Sequence, residues 1–207
     1  MQKEGTVVQV FGLYYTVDDG ENRIDCFLRG KNRLNKSNKK YSNPVAVGDK
    51  VLFTVHGSDH REGSIVSVLP RMNLFSRKDS KKNTREDVIA ANIDQVLIIQ
   101  SFSQPQPNLR FVDRLAVRSL HEGIKPVLCV NKSDMASGND LQDIYDYYTN
   151  SGLDIFITSA KNGQGLEALH EVMDNRRTLL AGSSGVGKTS LLNAMYQTLH
   201  LRTAAVS

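Results

Sequence analysis

The stretch 182–190 reads GSSGVGKTS and constrains the fold more than any other part of this 207-residue sequence. It fits the pattern G-x-x-x-x-G-K-[ST], in which Gly182, Gly187, Lys188 and Thr189 take the fixed positions. The apolar run RTLLA precedes it, and the helix-forming run LLNAM follows it. A strand, a glycine-rich loop and a helix in that order are the surroundings that a phosphate-binding loop requires. The sequence therefore predicts a nucleotide site here, although a glycine-rich turn could match the pattern by chance.

The residues of this loop have distinct predicted roles. The glycines let backbone N–H groups surround the phosphates, and the N-terminus of the helix adds its positive end. Lys188 would reach the β- and γ-phosphates, and the Thr189 hydroxyl would hold Mg²⁺, so we predict both as catalytic residues. The other predicted phosphate contacts are Gly182, Ser183, Ser184, Gly185, Val186, Gly187 and Ser190.

A second motif, NKSD at 131–134, follows the buried-strand pattern KPVLCV. The Asp134 carboxylate can accept hydrogen bonds from N1–H and N2–H₂ of guanine. Adenine offers neither donor, so ATP would leave a buried Asp134 unpaired. Asn131 would brace the loops around the base, and the stem of Lys132 would cover its face. A tetrapeptide of this kind also occurs as an ordinary turn, and a P-loop ATPase or kinase stays possible if NKSD is discounted.

A third motif, TSAK at 158–161, follows the strand-like run DIFIT. A small residue there lets a backbone N–H approach guanine O6, which a larger side chain would block. Ser159, Ala160 and Lys161 are therefore predicted to complete a site for GTP or GDP with Mg²⁺.

Hydrophobic patterning divides the chain into three parts. Residues 1–70 contain about five short strands with little helical signal, which favours an OB-type barrel that binds oligonucleotides, although another five-stranded barrel has the same pattern. Residues 71–91 are polar and basic, as expected of an exposed linker or an arm that orders on binding. Residues 92–207 alternate buried strands with amphipathic helices, which indicates an α/β domain with a doubly wound, mostly parallel sheet that is incomplete in this chain.

The net charge of +4 and the pI near 9.0 come from unevenly placed cations. Such clusters can neutralise phosphates and favour nucleic acid as a partner, although solvated loops would look the same. The cations are Lys31, Arg33, Lys36, Lys39 and Lys40 in one stretch, and Arg71, Arg77, Lys78, Lys81, Lys82 and Arg85 in the other.

The remaining composition favours a protein of the reducing cytoplasm. Cys26 and Cys129 both lie in strand-like apolar runs, so we predict small buried residues rather than a disulfide or metal site. The chain has no apolar run long enough to cross a bilayer and no secretory leader, so we expect no membrane partner.

The order of the three motifs is the reverse of that in Ras-like GTPases, in which the phosphate loop opens the domain. A circular permutation explains this order without altering the site. The sequence resembles the RsgA (YjeQ) family of circularly permuted GTPases over essentially the whole chain. The matching features are Arg29-Gly30-Lys31, Val47-Gly48-Asp49, NKSD, TSAK and GSSGVGKTSL, in that order.

The resemblance implies an OB-fold, a permuted GTPase domain and a C-terminal domain that binds one Zn²⁺. It also implies GTP hydrolysis stimulated by the small (30S) ribosomal subunit, and binding to its 16S rRNA late in maturation; we expect the barrel and the basic stretches to make these contacts. We expect a monomer. The alternative is an RNA-binding module whose nucleotide is only a regulatory ligand.

The sequence departs from the family pattern after the phosphate loop. Only 18 residues follow Thr189, and no D-x-x-G, threonine-bearing switch or zinc-ligand cluster is found. The five histidines have no metal-ligand spacing. We therefore expect an N-terminal portion of a longer protein that by itself binds guanine nucleotide weakly and hydrolyses GTP poorly or not at all.

Overall fold

The structure is a computed structural model that describes residues 2–28, 41–56, 61–78, 85–136, 140–196 and 201. The chain divides into two compact units, Met1–Ile93 and Asp94–Ser207. Each unit is built around its own hydrophobic core.

The first unit contains a closed barrel of five strands in the order β1-β2-β3-β5-β4. Strands β3 and β5 run parallel, and the other neighbouring pairs run antiparallel. This arrangement confirms the predicted OB-type barrel. The strands are β1 (Gln2–Phe11), β2 (Tyr14–Asp18), β3 (Arg23–Leu28), β4 (Lys50–His56) and β5 (Glu62–Val68).

The barrel core follows from the alternation of side chains along each strand. In β3, Ile24 and Cys26 point inward and are buried, whereas Arg23, Asp25 and Phe27 point outward. The inward side chains of the other strands complete the core, and they include Val7, Tyr15, Val17, Val51, Phe53 and Ile65.

The stretch 71–91, predicted as an exposed linker, instead contains two paired antiparallel strands, β6 (Leu74–Lys78) and β7 (Glu86–Ala91). Phe75 and Val88 are buried. The prediction was wrong because the charged residues lie together at the end of β6 and the start of β7, where they face one another, so the average composition is polar although the rest of the strand pair is largely buried.

A buried ion pair is formed within the first unit. The Asp49 carboxylate is fully buried and accepts hydrogen bonds from Nε and an Nη of Arg71, at 2.7 Å and 2.8 Å. Arg71, predicted among the cations available to RNA, therefore has an internal partner, and only 11% of its side chain is exposed.

Gly48, next to Asp49, packs closely against β7. It has a φ of +89°, and a Cβ atom there would be 2.0 Å from the Ala91 carbonyl oxygen.

The second unit contains a parallel four-stranded sheet in the order β10-β9-β8-β11. Every residue of β8 is buried, as the near-continuous apolar run predicts. The strands are β8 (Gln95–Ser101), β9 (Lys125–Asn131), β10 (Asp154–Ile157) and β11 (Thr178–Ala181).

Four α-helices alternate with these strands in the described parts of the second unit, as the sequence predicts. The Asn108 side chain caps the first helix by accepting a hydrogen bond from the backbone N–H of Phe111, and Gly123, at a φ of +69°, follows its end. The helices are α1 (Leu109–His121), α2 (Asp140–Asn150), α3 (Leu166–Met173) and α4 (Lys188–Met195). No helix among the described residues is both long and apolar enough to span a bilayer.

Candidate nucleotide-binding site

The three sequence motifs meet at one edge of the parallel sheet. NKSD begins at the last residue of β9, TSAK follows β10, and GSSGVGKTS follows β11. Because the strands are parallel, all three segments leave the sheet at its carboxyl edge, where ligands bind in folds of this kind.

The backbone of the phosphate loop requires glycine at specific positions. A Cβ atom on Gly182 would lie 2.5 Å from the Ile99 carbonyl oxygen of β8. Gly187 has a φ of +93°, and its Cβ atom would lie 2.3 Å from Nδ2 of Asn131. The first glycine thus lets the loop leave the sheet, and the second lets it pack against the NKSD motif.

The loop presents the donors that a phosphate group needs. In the described parts of the chain, the backbone N–H groups of Ser183, Ser184 and Gly185 donate to no protein acceptor. Helix α4 begins at Lys188, directly behind them, so its N-terminus faces the same space. A cradle of unpaired N–H groups at a helix N-terminus fits an anion.

Lys188 and Thr189 open this helix. The Lys188 ammonium donates to the carbonyl oxygens of Gly182 and Ser183, both at 2.8 Å, so it folds back over the loop. An ammonium group has three donors, which leaves one for a phosphate oxygen. Thr189 is half-buried in the first turn of α4, and Ser190 beside it is exposed.

Asn131 connects the three motifs to one another. Its side chain is buried, and its Nδ2 donates to the Val186 carbonyl oxygen in the phosphate loop at 2.9 Å. Its Oδ1 accepts from the backbone N–H of Ala160 at 3.2 Å and from the Thr158 hydroxyl at 3.4 Å. One amide group therefore sets the spacing between the segments predicted to hold the base and those predicted to hold the phosphates.

Asp134 lies between the second and third motifs. Its Oδ1 accepts a hydrogen bond from the Ser159 hydroxyl at 2.6 Å, and its Oδ2 lies 3.8 Å from the Lys161 ammonium. The residue as a whole is exposed because its backbone is open to solvent, whereas its side chain keeps only 18% of its accessible surface. The carboxylate is thus oriented by both neighbours.

Lys132 adopts the left-handed conformation, with a φ of +65°, at the turn after β9. Its ammonium donates to the carbonyl oxygen of Gln104, in the segment that follows β8. This contact fixes the far end of the side chain.

Sequence reasoning missed Gln164, which also joins the two base motifs. Its side-chain Oε1 accepts from the Ser133 hydroxyl at 3.0 Å, and its backbone oxygen accepts from the N–H of Ser159 at 3.0 Å. A signal was available, because Gln164 lies between Gly163 and Gly165, both at positive φ, in a tight turn after TSAK.

Both cysteines are free and buried, as predicted. Burial raises the pKa of the Cys129 thiol to about 12, and the hydrogen bond with Thr158 opposes that shift. Among the described residues, no group of three or more His, Cys, Asp or Glu side chains could hold a metal ion.

The predicted basic stretches are described only in part. Residues 29–40, which include Arg29-Gly30-Lys31, lie outside the described residues, as do Lys81 and Lys82. Arg77 and Lys78 end β6 and are exposed, and Arg85 immediately precedes β7.

Comparison with known proteins agrees with this geometry. The sequence matches the family RsgA GTPase over residues 68–207 and the RsgA N-terminal domain over residues 4–65. The small ribosomal subunit biogenesis GTPase RsgA of Chlorobaculum parvum is 36% identical over 210 residues, which cover 98% of this chain and 67% of that protein. The protein of the same name from Flavobacterium johnsoniae is 34% identical over 208 residues, which cover 98% of this chain and 63% of that protein.

Two solved structures resemble the fold. YjeQ from Thermotoga maritima has a TM-score of 0.75 and 35% sequence identity, with 99% of this chain and 68% of that chain covered. YloQ, described as a circularly permuted GTPase, has a TM-score of 0.68 and 30% identity, with 97% and 66% covered. The chain spans about two thirds of the length of the curated relatives that it matches.

Proposed function

Because this chain belongs to the RsgA GTPase family, we propose that it binds GTP and GDP and that its full-length protein hydrolyses GTP during late maturation of the small ribosomal subunit. The proposed place of action is the cytoplasm, and the proposed partners are the 30S subunit and its 16S rRNA, reached through the barrel and the basic stretches. The proposed unit is a monomer.

The observation that carries the nucleotide assignment is the set of hydrogen bonds made by Asn131. This buried amide bonds with the phosphate loop through Val186 and with the third motif through Thr158 and Ala160. An isolated P-loop fits any nucleoside triphosphate. A P-loop joined rigidly to an Asp134 carboxylate and a small-residue loop fits guanine in particular.

The roles proposed for the base site follow from the orientation of its donors and acceptors. Asp134 accepts from N1–H and N2–H₂ of guanine, while Ser159 and Lys161 keep its carboxylate in place. The backbone N–H of Ala160, now donating weakly to Asn131, would also donate to O6. The stem of Lys132 covers one face of the ring.

The roles proposed for the phosphate site rest on the loop amides and on α4. The N–H groups of 183–187 surround the phosphates, Lys188 offers its remaining donor to a phosphate oxygen, and the first turn, with Ser190, supplies the positive end of the helix. Thr189 would hold Mg²⁺, which neutralises charge on the β- and γ-phosphates when bound. The Zn²⁺ that the resemblance implies stays a proposal for the complete protein.

Competition between nucleotides tests the base assignment. Titration of this chain with a fluorescent GDP analogue, displaced by GTP or by ATP, should give a preference for GTP of at least about 1,000-fold, since adenine offers Asp134 neither of the two donors that guanine presents. Equal displacement by ATP would favour the P-loop ATPase or kinase.

Turnover separates an enzyme from a regulated binding module. The barrel favours the second candidate, an RNA-binding module whose nucleotide is only a regulatory ligand. GTP hydrolysis by the full-length protein should rise when small subunits are added. Subunit binding that ignores the nucleotide, without stimulated turnover, would support the module and contradict the enzyme.

A further inference from the structure

The loop that joins β8 to α1, residues 102–108, lies between the two halves of the candidate nucleotide site. In the sheet order β10-β9-β8-β11, the two base motifs follow β9 and β10, whereas the phosphate loop follows β11. Neighbouring strands are about 4.8 Å apart, so the ends of β9 and β11 are separated by about 10 Å, with the end of β8 between them. A nucleotide that uses both halves must therefore pass over the carboxyl end of β8, where this loop, which we call the β8–α1 loop, begins.

The β8–α1 loop is fixed to the sheet by side chains at the end of β8. The Ser101 hydroxyl donates a hydrogen bond to the Pro105 carbonyl oxygen at 2.5 Å. Oε1 of Gln100 accepts a hydrogen bond from the backbone N–H of Asn108 at 2.9 Å. Ser101 and Gln100 are both buried, and breaking the hydrogen bonds of a buried polar group is costly. The loop therefore presents a defined stretch of backbone to the site.

Two hydrogen bonds join the β8–α1 loop to the NKSD motif. The backbone N–H of Phe102 donates to the Asn131 carbonyl oxygen at 2.8 Å, close to the ends of the two strands. The Lys132 ammonium donates to the carbonyl oxygen of Gln104, farther along the loop. Gln104 is exposed, and its part in this contact is played by its backbone alone.

Both residues of the second hydrogen bond have an unusual backbone conformation. In the described parts of the chain, four residues other than glycine have a positive φ. Two of them, Asn92 and Asn175, are asparagines, which adopt this conformation more readily than most residues. The other two are Lys132, at +65°, and Gln104, at +48°, and they are bonded to each other. Backbone strain of this kind persists where the surrounding structure imposes it, and it is concentrated at functional sites.

We propose that Gln104 is a positioning residue of the nucleotide site. Its carbonyl oxygen anchors the Lys132 ammonium and so holds the Lys132 stem against the nucleoside, where the nucleotide crosses the end of β8. The left-handed backbone of Gln104 sets the direction of that carbonyl group. This inference rests on the proposed function, because it adds to the same site a residue that none of the three motifs contains.

Gln104→Val tests the proposal, because a β-branched residue disfavours a positive φ and should turn the carbonyl group away from Lys132. Isothermal titration calorimetry should show that GDP affinity falls by about 3- to 10-fold, as expected for the loss of one solvent-exposed hydrogen bond. Gln104→Gly keeps the carbonyl group and adopts a positive φ freely, so it should bind GDP more tightly than Gln104→Val.

Asn175→Val is the matched control for backbone strain. Asn175 is exposed and has a φ of +54°, but it lies before the start of β11, at the opposite edge of the sheet. GDP affinity should therefore stay at the wild-type value. The proposal is overturned if Gln104→Val binds GDP as the wild type does, or if Asn175→Val loses as much affinity as Gln104→Val.

A double-mutant cycle separates positioning of Lys132 from a general defect of the loop. Lys132→Met keeps the aliphatic stem but removes the ammonium that donates to Gln104. If the two residues act through one contact, Gln104→Val should weaken GDP binding much less in the Lys132→Met background than in the wild type. Equal losses in the two backgrounds would contradict the proposal, since the loop would then act independently of Lys132.

Comparison of GDP with inosine diphosphate tests whether the effect reaches Asp134. Hypoxanthine lacks the N2 amino group, which is one of the two donors proposed to bind Asp134. Gln104→Val should weaken the binding of both nucleotides by the same factor, because the Lys132 stem covers the face of the ring and not its edge. A changed ratio of the two affinities would mean that Gln104 acts through the Asp134 carboxylate, which would overturn the role proposed for its contact with Lys132.

Binding by the wild type distinguishes this inference from the proposed function. If the wild-type chain has no affinity for GDP, the proposed function fails and the inference fails with it. If the wild type binds GDP in preference to ADP, and Gln104→Val does so equally well, only the role of Gln104 is overturned.

Discussion

In the second unit, every residue proposed to contact nucleotide lies in one of three short stretches, whereas four neighbouring exposed rings of the first unit, Phe11, Tyr14, Phe27 and His56, come from four different strands. The stretches are contiguous because a loop at the end of a parallel strand carries its whole share of a site. The four rings are dispersed along the chain because only alternate residues of a strand share a face and the strand register decides which of them meet. A site formed by loops can therefore be found from sequence motifs. A surface formed by one face of a sheet can be found only when the strand order and register are known.

A substitution that destabilises the first unit should leave nucleotide binding by the second unit unchanged. Arg71→Met tests this and has the largest expected effect. The substitution leaves the fully buried Asp49 carboxylate without its cationic partner, although the backbone N–H of Ala46 still donates to it, and this should destabilise the first unit by about 3–5 kcal/mol. Urea denaturation followed by circular dichroism measures the loss, and GDP affinity should stay unchanged. Arg77→Met is the matched control, since its pair with Asp87 is 4.0 Å long and largely exposed. Loss of GDP affinity in the folded Arg71→Met protein would show that the units are coupled.

Gly187→Ala should weaken GDP binding by about 100-fold or more, because it combines backbone strain with displacement of the Asn131 amide. Its Cβ atom would lie 2.3 Å from Nδ2 of that amide. Gly163→Ala is the control, because Gly163 has a similar φ of +84° but no atom within 4 Å of its Cβ position. Fluorescence titration with a GDP analogue measures both. Equal losses would mean that strain alone, and not the link to NKSD, controls the site.

The Cys129 thiol should make stability depend on pH. Its pKa is raised to about 12 in the folded protein by burial, whereas an unfolded thiol ionises near pH 8.5. Deprotonation of the unfolded chain therefore costs about 1–2 kcal/mol of stability between pH 8 and pH 10. Urea titrations of the wild type and Cys129→Ala at both pH values isolate this contribution. The wild type should lose more stability than the variant, and parallel losses would contradict the burial of the thiol.

Gln164→Ala is expected to have the smallest effect. It removes one hydrogen bond to Ser133 but keeps the backbone contact with Ser159, so GDP affinity should fall by about 3- to 10-fold. Gln142→Ala removes an exposed hydrogen bond to Asp146 on α2 and should leave GDP affinity unchanged. If Gln164→Ala leaves GDP affinity unchanged, the Gln164 side chain does not help to position the base motifs, and that role belongs to Asn131.

The sequence predicted the structure correctly where a short local pattern determines the local structure. The run QVLIIQ predicted a strand buried on both faces, and all of β8 is buried. The closed barrel and the parallel sheet were likewise predicted from strand patterning and from the alternation of strands with helices. The three motifs were also predicted to lie at strand ends, and each of them does.

The sequence did not predict the structure where contacts join residues that are distant in the chain. The pairing of Arg71 with Asp49 turned a predicted cation of the basic stretch into part of a buried ion pair, and strands β6 and β7 formed where a linker was predicted. The stacking of His56 on Phe27 could not be predicted either, because the two residues lie on strands β4 and β3, which are separated in the barrel by β5. Each of these depends on pairing partners that no short pattern contains.

The central claim is that three motifs in permuted order form one guanine site in which Asp134 selects the base. Binding of GTP and of xanthosine triphosphate to the wild type and to Asp134→Asn tests it most directly, with Asp146→Asn as the matched control. Xanthine replaces the N2 donor of guanine with a carbonyl oxygen, which pairs with an amide donor rather than with a carboxylate. The account predicts that Asp134→Asn loses GTP affinity by about 100-fold or more and gains affinity for xanthosine triphosphate. An unchanged preference for GTP would contradict it.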